Sequence, residues 1–196
     1  MANVDSPFGL KYRYCLHGGD PIIQTFLIPA TDNTAVFLND PVKPAGSASA
    51  DGKYATVAQG TAAAQILGVV QGFDQVKGLG TSQNLYRTHR PASTAMYVKV
   101  ITDPLAVYEI QEDSVAGALA ADDIGLNASI IVGTGSAVTG LSAVELDTST
   151  KADTATLELK IIGLVNRPDN ELGTNAKVLV MINAASFGGG TGMTGI

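Results

Sequence analysis

With 196 residues, 45% of them apolar and only 15% charged, and a net charge of −6, the chain suits one β domain or two small lobes. A chain of this size buries roughly 70% of its unfolded surface, so it needs no disulfide or metal to fold. The densest basic stretch is "LKYRY" at 10–14, which cannot form the basic face that nucleic acid requires, and no apolar run approaches the ~20 residues of a membrane helix.

The elements follow in chain order. "MANVDSPFGL" has neither a charged n-region nor an apolar h-region, so the expectation is no signal peptide and synthesis in a cytoplasm. Residues 1–12 read as an N-terminal arm in which Val4, Phe8 and Leu10 stand among Pro7, Gly9 and polar groups. Such an arm is either frayed or ordered by a neighbour, and its apolar residues make it a candidate contact element. "CLHGGD" (15–20) places Cys15, His17 and Asp20 close in sequence. A zinc site needs three or four converging ligands, and no second Cys/His pair stands elsewhere to complete one. The stretch therefore reads as a turn, Cys15 as a small buried residue rather than a catalytic thiol, and no metal or cofactor is expected.

Short apolar and alternating runs then predict strands at 22–28, 35–38, 54–59, 66–73, 95–102, 105–111, 129–133, 143–147, 155–165 and 177–184. The segment "IPATDNTAVFLNDPVKPAG" (28–46) reads as a strand–turn–strand corner, with Asp32 and Asp40 serving the turns. "RTHRP" (87–91) could offer Arg87 and Arg90 to a phosphate or carboxylate, but reads rather as a solvated loop or part of a protein contact surface. "VKVITDPLAVYEI" reads as a hairpin closed around Thr102-Asp103-Pro104. "EDSVAGALAADDIG" (112–125) predicts one short helix ended by Gly125. "GTGSAVTG" (133–140) lacks the Gly-Lys-Ser/Thr ending of a phosphate loop and reads as a Gly-rich hairpin. In "TLELKII", Leu157, Leu159 and Ile161 share one face, with Glu158 and Lys160 on the other. The tail 186–196 is Gly-rich yet carries Phe187 and Met193, again contact candidates.

The sum is a mainly β chain: an antiparallel β-sandwich or jelly-roll-like domain over 13–185, with room for a small β-barrel subdomain and a two-lobe split near 112–128. No catalytic residues emerge. There is no nucleophile elbow and no identifiable acid pair. The absence of tryptophan argues against a carbohydrate-active enzyme with aromatic platforms.

Several segments together carry a resemblance: "MANVDSPFGLK", "FLIPATDNTAVFLNDPVKPAGSASADGKYATVAQ" (26–59), "ILGVVQGFD" (66–74), "VYEIQEDSVAGALAADDIGLNA" (107–128) and "ELDTSTKADTATLELKIIGLVNRPDNELGTNAKVLVMIN" (145–183). In their number and order they resemble the capsid cement, or decoration, proteins of tailed bacteriophages. The fit is poorest at 76–94 and 184–196. The resemblance implies a non-enzymatic β-rich protein on the exterior of the virion, made in the host cytoplasm. It implies the major capsid protein as partner and a homo-oligomer, dimer or trimer, on the shell. It brings no catalytic residues. The alternatives are another virion component, such as a head fibre or receptor-binding adhesin module, and a β-fold hydrolase acting on polysaccharide.

Overall fold

A computed structural model describes residues 3–75, 88–115, 117–187, 192, 194 and 195. Among them the chain forms thirteen strands in sequence order: β1 (Lys11–Cys15), β2 (Ile23–Ile28), β3 (Val36–Phe37), β4 (Pro41–Ala48), β5 (Ala55–Gln59), β6 (Gly68–Gln75) and β7 (His89–Arg90). There follow β8 (Met96–Ile101), β9 (Ala106–Gln111), β10 (Asn127–Val132), β11 (Val144–Ala152), β12 (Leu159–Leu164) and β13 (Lys177–Ile182). The mainly β, predominantly antiparallel fold is the one the alternating runs predict. Among the described residues, no helix is long and apolar enough to cross a membrane.

Two units take eleven of the strands, and β3 and β7 pair as a separate two-stranded antiparallel sheet. A six-stranded antiparallel sheet has the order β1-β9-β13-β12-β10-β11, and a closed barrel has the order β2-β5-β4-β6-β8. The barrel closes through a parallel contact between β2 and β5 at Leu27 and Thr56; its other pairings are antiparallel. The change from barrel to sheet falls between β8 and β9, at residues 102–105. Residues 112–126 instead join β9 and β10, two strands of one sheet.

The period of two explains how the units hold together. On β8, Val98 and Val100 point into the barrel while Lys99 points to solvent. On β6, Val70 faces the barrel core beside Phe26, Val57 and Leu67. Its neighbour Val69 faces the other way and joins Ile66 and Ile101 in the sheet's core with Leu10, Tyr108, Leu159 and Val180. At Val69 and Ile101 the barrel wall is therefore buried on both faces, and there barrel and sheet share apolar surface. Each such Val or Ile contributes about 1.5–3 kcal/mol relative to exposure. Gly68 permits the close approach of β6 to β8: a Cβ there would lie 2.0 Å from the Ile101 carbonyl oxygen.

Several expectations are corrected. "VKVITDPLAVYEI" is no hairpin. β8 pairs with β2 and β6, β9 pairs with β1 and β13, and Thr102-Asp103-Pro104 carries the chain from barrel to sheet. The helix expected over 112–125 is one 3-10 turn at Ala121–Asp123, because the segment runs extended along β11: Asp113 N–H donates to the Leu146 carbonyl, and Glu112 bridges to Leu146. β4, "PVKPAGSA", falls between the strands predicted at 35–38 and 54–59. It forms a strand because beyond Val42 it pairs only with β5, so Pro44 owes no hydrogen bond on its other side. Leu159 and Ile161 are core residues as their alternation predicts, but Glu158 is buried too, with neither carboxylate oxygen hydrogen-bonded among the described residues.

Candidate functional site

The contact candidates read from the sequence are scattered. Arg87 and Met193 lie outside the described residues. Val4 is 70% exposed and Phe187 58% exposed, but Val4 stands near the Gln111 end of β9 and Phe187 follows the bridge from Ala185 to Ile66. The arm itself is stitched to its own chain. Asn3 Nδ2 donates to the carbonyls of Glu171 and Thr174 at 2.9 and 2.8 Å, and Ser6 N–H donates to Gln111 Oε1 at 3.0 Å. Phe8 is half-buried, and its carbonyl accepts from Asn39 Nδ2 at 3.0 Å. Leu10 is not a contact residue at all: it is fully buried in the shared core.

Arg90 is corrected in the same way. Its side chain has no exposure. The guanidinium donates to the carbonyls of Pro29, Asp32, Thr34 and Thr94, the Nε–Thr94 bond being 2.7 Å and the two Nη2 bonds 2.8 Å. Burial pulls its pKa below the ordinary arginine value, and the Asp32 carboxylate, 3.9 Å away, pushes it back. Arg90 thus binds the chain's own corner at 29–34. Asp32 and Asp40 do serve turns there: Asp32 Oδ1 accepts from Thr34 N–H at 2.8 Å, and Asp40 Oδ2 from Phe37 N–H at 2.9 Å.

The exposed apolar surface gathers elsewhere, at the junction of barrel and sheet. Leu16 and Ile22 are each 55% exposed, and Tyr14, Ile23 and Leu105 are also exposed. The backbone brings them together. Leu16 N–H donates to the Leu105 carbonyl at 3.0 Å, Thr102 N–H donates to the Ile22 carbonyl at 2.9 Å, and Ile23 registers with Ile101. Exposed apolar residues joined through the backbone in this way form a candidate contact surface, here called the shelf. It lies beside β1, the edge strand of the sheet, which carries a bulge between Tyr12 and Tyr14. One signal for the shelf is present in the sequence: adjacent isoleucines at 22 and 23 cannot both point into one core from an extended chain.

Beneath the shelf lies a polar cluster. Cys15 and Asp103 are buried, and His17 stands above them with its side chain 39% exposed. His17 Nε2 is 2.8 Å from Asp103 Oδ2, and Cys15 Sγ is 3.5 Å from the same oxygen. Gly19 N–H donates to His17 Nδ1 at 3.0 Å, so the ring proton sits on Nε2 and points at the carboxylate. Burial raises the Asp103 pKa, but bonds from His17, Leu105 N–H and Cys15 outweigh it and leave the carboxylate below its ordinary value. Burial raises the Cys15 thiol. The Cys15 hydrogen bond, with burial added, pushes Tyr12 up to about 12. Tyr108 is buried, its hydroxyl has no hydrogen-bond partner among the described residues, and after burial the nearby Cys15 and Asp103 raise its pKa further. The sequence places Asp103 far from Cys15 and His17, and Asp20, the acid expected beside them, is exposed.

At the opposite end of β9, carboxylates crowd around Gln111, whose Nε2 donates to Asp5 Oδ1 at 3.0 Å and Glu145 Oε1 at 3.3 Å. Burial, then the charges of Asp5 and Asp113, push Glu145 up to about 7. A carboxyl with a raised folded pKa adds stability below its unfolded pKa, and that stability is lost as pH rises through about 7. Glu145→Gln should therefore melt higher than the parent at pH 8, by on the order of 1 kcal/mol after discounting for partial exposure, and show little gain at pH 5. Thermal melts at both pH values check this; an equal shift at both would refer it to packing.

Compared with family models, curated proteins and solved structures, the chain matches none of them.

Proposed function

We propose that this chain is a non-enzymatic capsid cement protein that binds the outer surface of an icosahedral phage head and stabilises contacts between major capsid protein subunits. The observation that carries the reading is the apolar shelf of Leu16, Ile22, Ile23, Leu105 and Tyr14 beside the edge strand β1. It adds to the resemblance borne by the sequence segments. A surface of Thr, Ser, Ala and Gly loses little side-chain entropy on binding, so the shelf's apolar burial is retained as affinity. An edge strand can add main-chain pairing to a neighbour. Repetition over a shell, as a dimer or trimer, lets modest sites act together. Whatever binds the assembled shell and not the dissociated one shifts the balance toward assembly.

The experiment adds purified protein to capsids stripped of it. Decorated shells should hold their DNA to higher temperature than bare ones. The double variant Leu16→Asp/Ile22→Asp should bind at least about tenfold more weakly while melting within about 2 °C of the parent, because exposed positions carry little fold stability. Decorated and bare shells that burst together would overturn the cement reading. Normal shell binding by the double variant would remove the shelf from it.

A further inference from the structure

We propose that Cys15, His17 and Asp103 form a binding site for one divalent transition-metal ion, with Zn2+ as the reference ion. Their ligand atoms, one sulfur, one ring nitrogen and one carboxylate oxygen, all lie within 4.8 Å of one another. That is the span of donors around a single ion bound at roughly 2.0–2.3 Å. The donor set is chemically selective: thiolate and imidazole favour zinc and its neighbours, whereas Mg2+ and Ca2+ call for oxygen.

The elements that carry the ligands are fixed independently of any ion. Cys15 ends β1, in register with Ala106. His17 follows in the turn where Gly18 N–H donates to the Cys15 carbonyl at 3.0 Å. Asp103 is set by Leu105 N–H, which donates to its Oδ1 at 2.9 Å and leaves Oδ2 toward Cys15 and His17. A separate observation points to a ligand: the hydroxyl of Tyr108, buried in the same core cluster as Cys15, has no hydrogen-bond partner among the described residues. A buried hydroxyl without a partner is costly, and water on a bound ion would supply one. Three protein ligands leave a fourth position for that water, and the half-exposed His17 is where solvent reaches the cluster.

Binding is balanced by protons. The Cys15 thiol releases one to solvent as the sulfur takes the metal. The His17 ring proton leaves Nε2 for Nδ1, which frees Nε2 to coordinate and turns the Gly19 amide away. That amide belongs to an exposed Gly-Gly turn, so the adjustment is small. The three ligand side chains are not among the shelf side chains assigned to the capsid contact, and Leu105 serves the site only through its backbone N–H, so the site stands or falls separately from the cement reading.

The test titrates Co2+ and Zn2+ into the chelator-treated full chain. Co2+ should give the near-ultraviolet thiolate charge-transfer band and visible bands of tetrahedral strength, saturating at one ion per chain. Zn2+ should displace it and raise the melting temperature, and Mg2+ should do neither. Cys15→Ser should remove the charge-transfer band. His17→Ala should weaken binding by more than about a hundredfold, beyond the usual effect of a supporting residue, yet leave the metal-free melt near that of the parent. If Cys15→Ser fails to fold, the His17→Ala titration decides alone, because His17 is on an exposed turn. No saturable Co2+ band, or binding retained in His17→Ala, overturns the site.

Discussion

Replacing Arg90 with Met is expected to cost about 3–5 kcal/mol, among the largest effects available to a single substitution in this chain. The side chain has no exposure and donates to four backbone carbonyls: Pro29, Asp32 and Thr34 in one loop and Thr94 in another. Methionine keeps the apolar stem but leaves those carbonyls to find water, and water enters only if the corner at 29–34 opens. Arg90→Lys should recover only part of the loss, because an ammonium is a point donor and cannot span four acceptors as a planar guanidinium does. In melting temperature the Met variant should fall by roughly 10 °C. A Met variant melting within about 2 °C of the parent would mean the carbonyls are solvated without the arginine.

Leu10→Ala should cost about 2–5 kcal/mol, with a melting temperature lower by roughly 5–15 °C. Leu10 lies fully buried where barrel and sheet share apolar surface, and its N–H donates to the Asn39 carbonyl at 2.9 Å. Gly9 delivers it there with φ +74°, and a Cβ at that position would lie 2.5 Å from Ser142 Cβ. Deleting residues 1–10 should therefore unfold or strongly destabilise the protein, whereas deleting only 1–5 removes the Asn3 and Asp5 contacts and should cost about 1–2 kcal/mol. Denaturant melts of the two truncations separate the cases. A stable 11–196 fragment would restore Leu10 to a detachable arm.

The expectation that Leu10 and Arg90 form contacts shows where sequence reasoning stopped. Locally, both stretches look like solvated or docking segments: one apolar residue after Pro7 and Gly9, and two arginines around Thr-His. Nothing in either stretch says that three carbonyls wait some sixty residues away, or that a leucine pocket lies where barrel and sheet meet.

What the sequence by itself determined is the strand content. Alternation in "MYVKVI", "AVELD" and "KVLVMI" fixes which residues face inward, because a strand turns successive side chains to opposite faces whatever its partner. The Gly-rich loop "GTGSAVTG" is the connection between paired strands β10 and β11, as its flanking apolar runs require. Partner choice was left to the tertiary structure. "VKVITDPLAVYEI" carries every local mark of a hairpin, yet its two strands part to different units. β8 completes the barrel, and the doubly flanked β9, with every residue buried, needs β1 and β13. That parting decides the chemistry as well. It carries Asp103 to Cys15 and His17 across 86 residues of sequence, a spacing no local motif encodes because the three side chains meet only where barrel and sheet are joined.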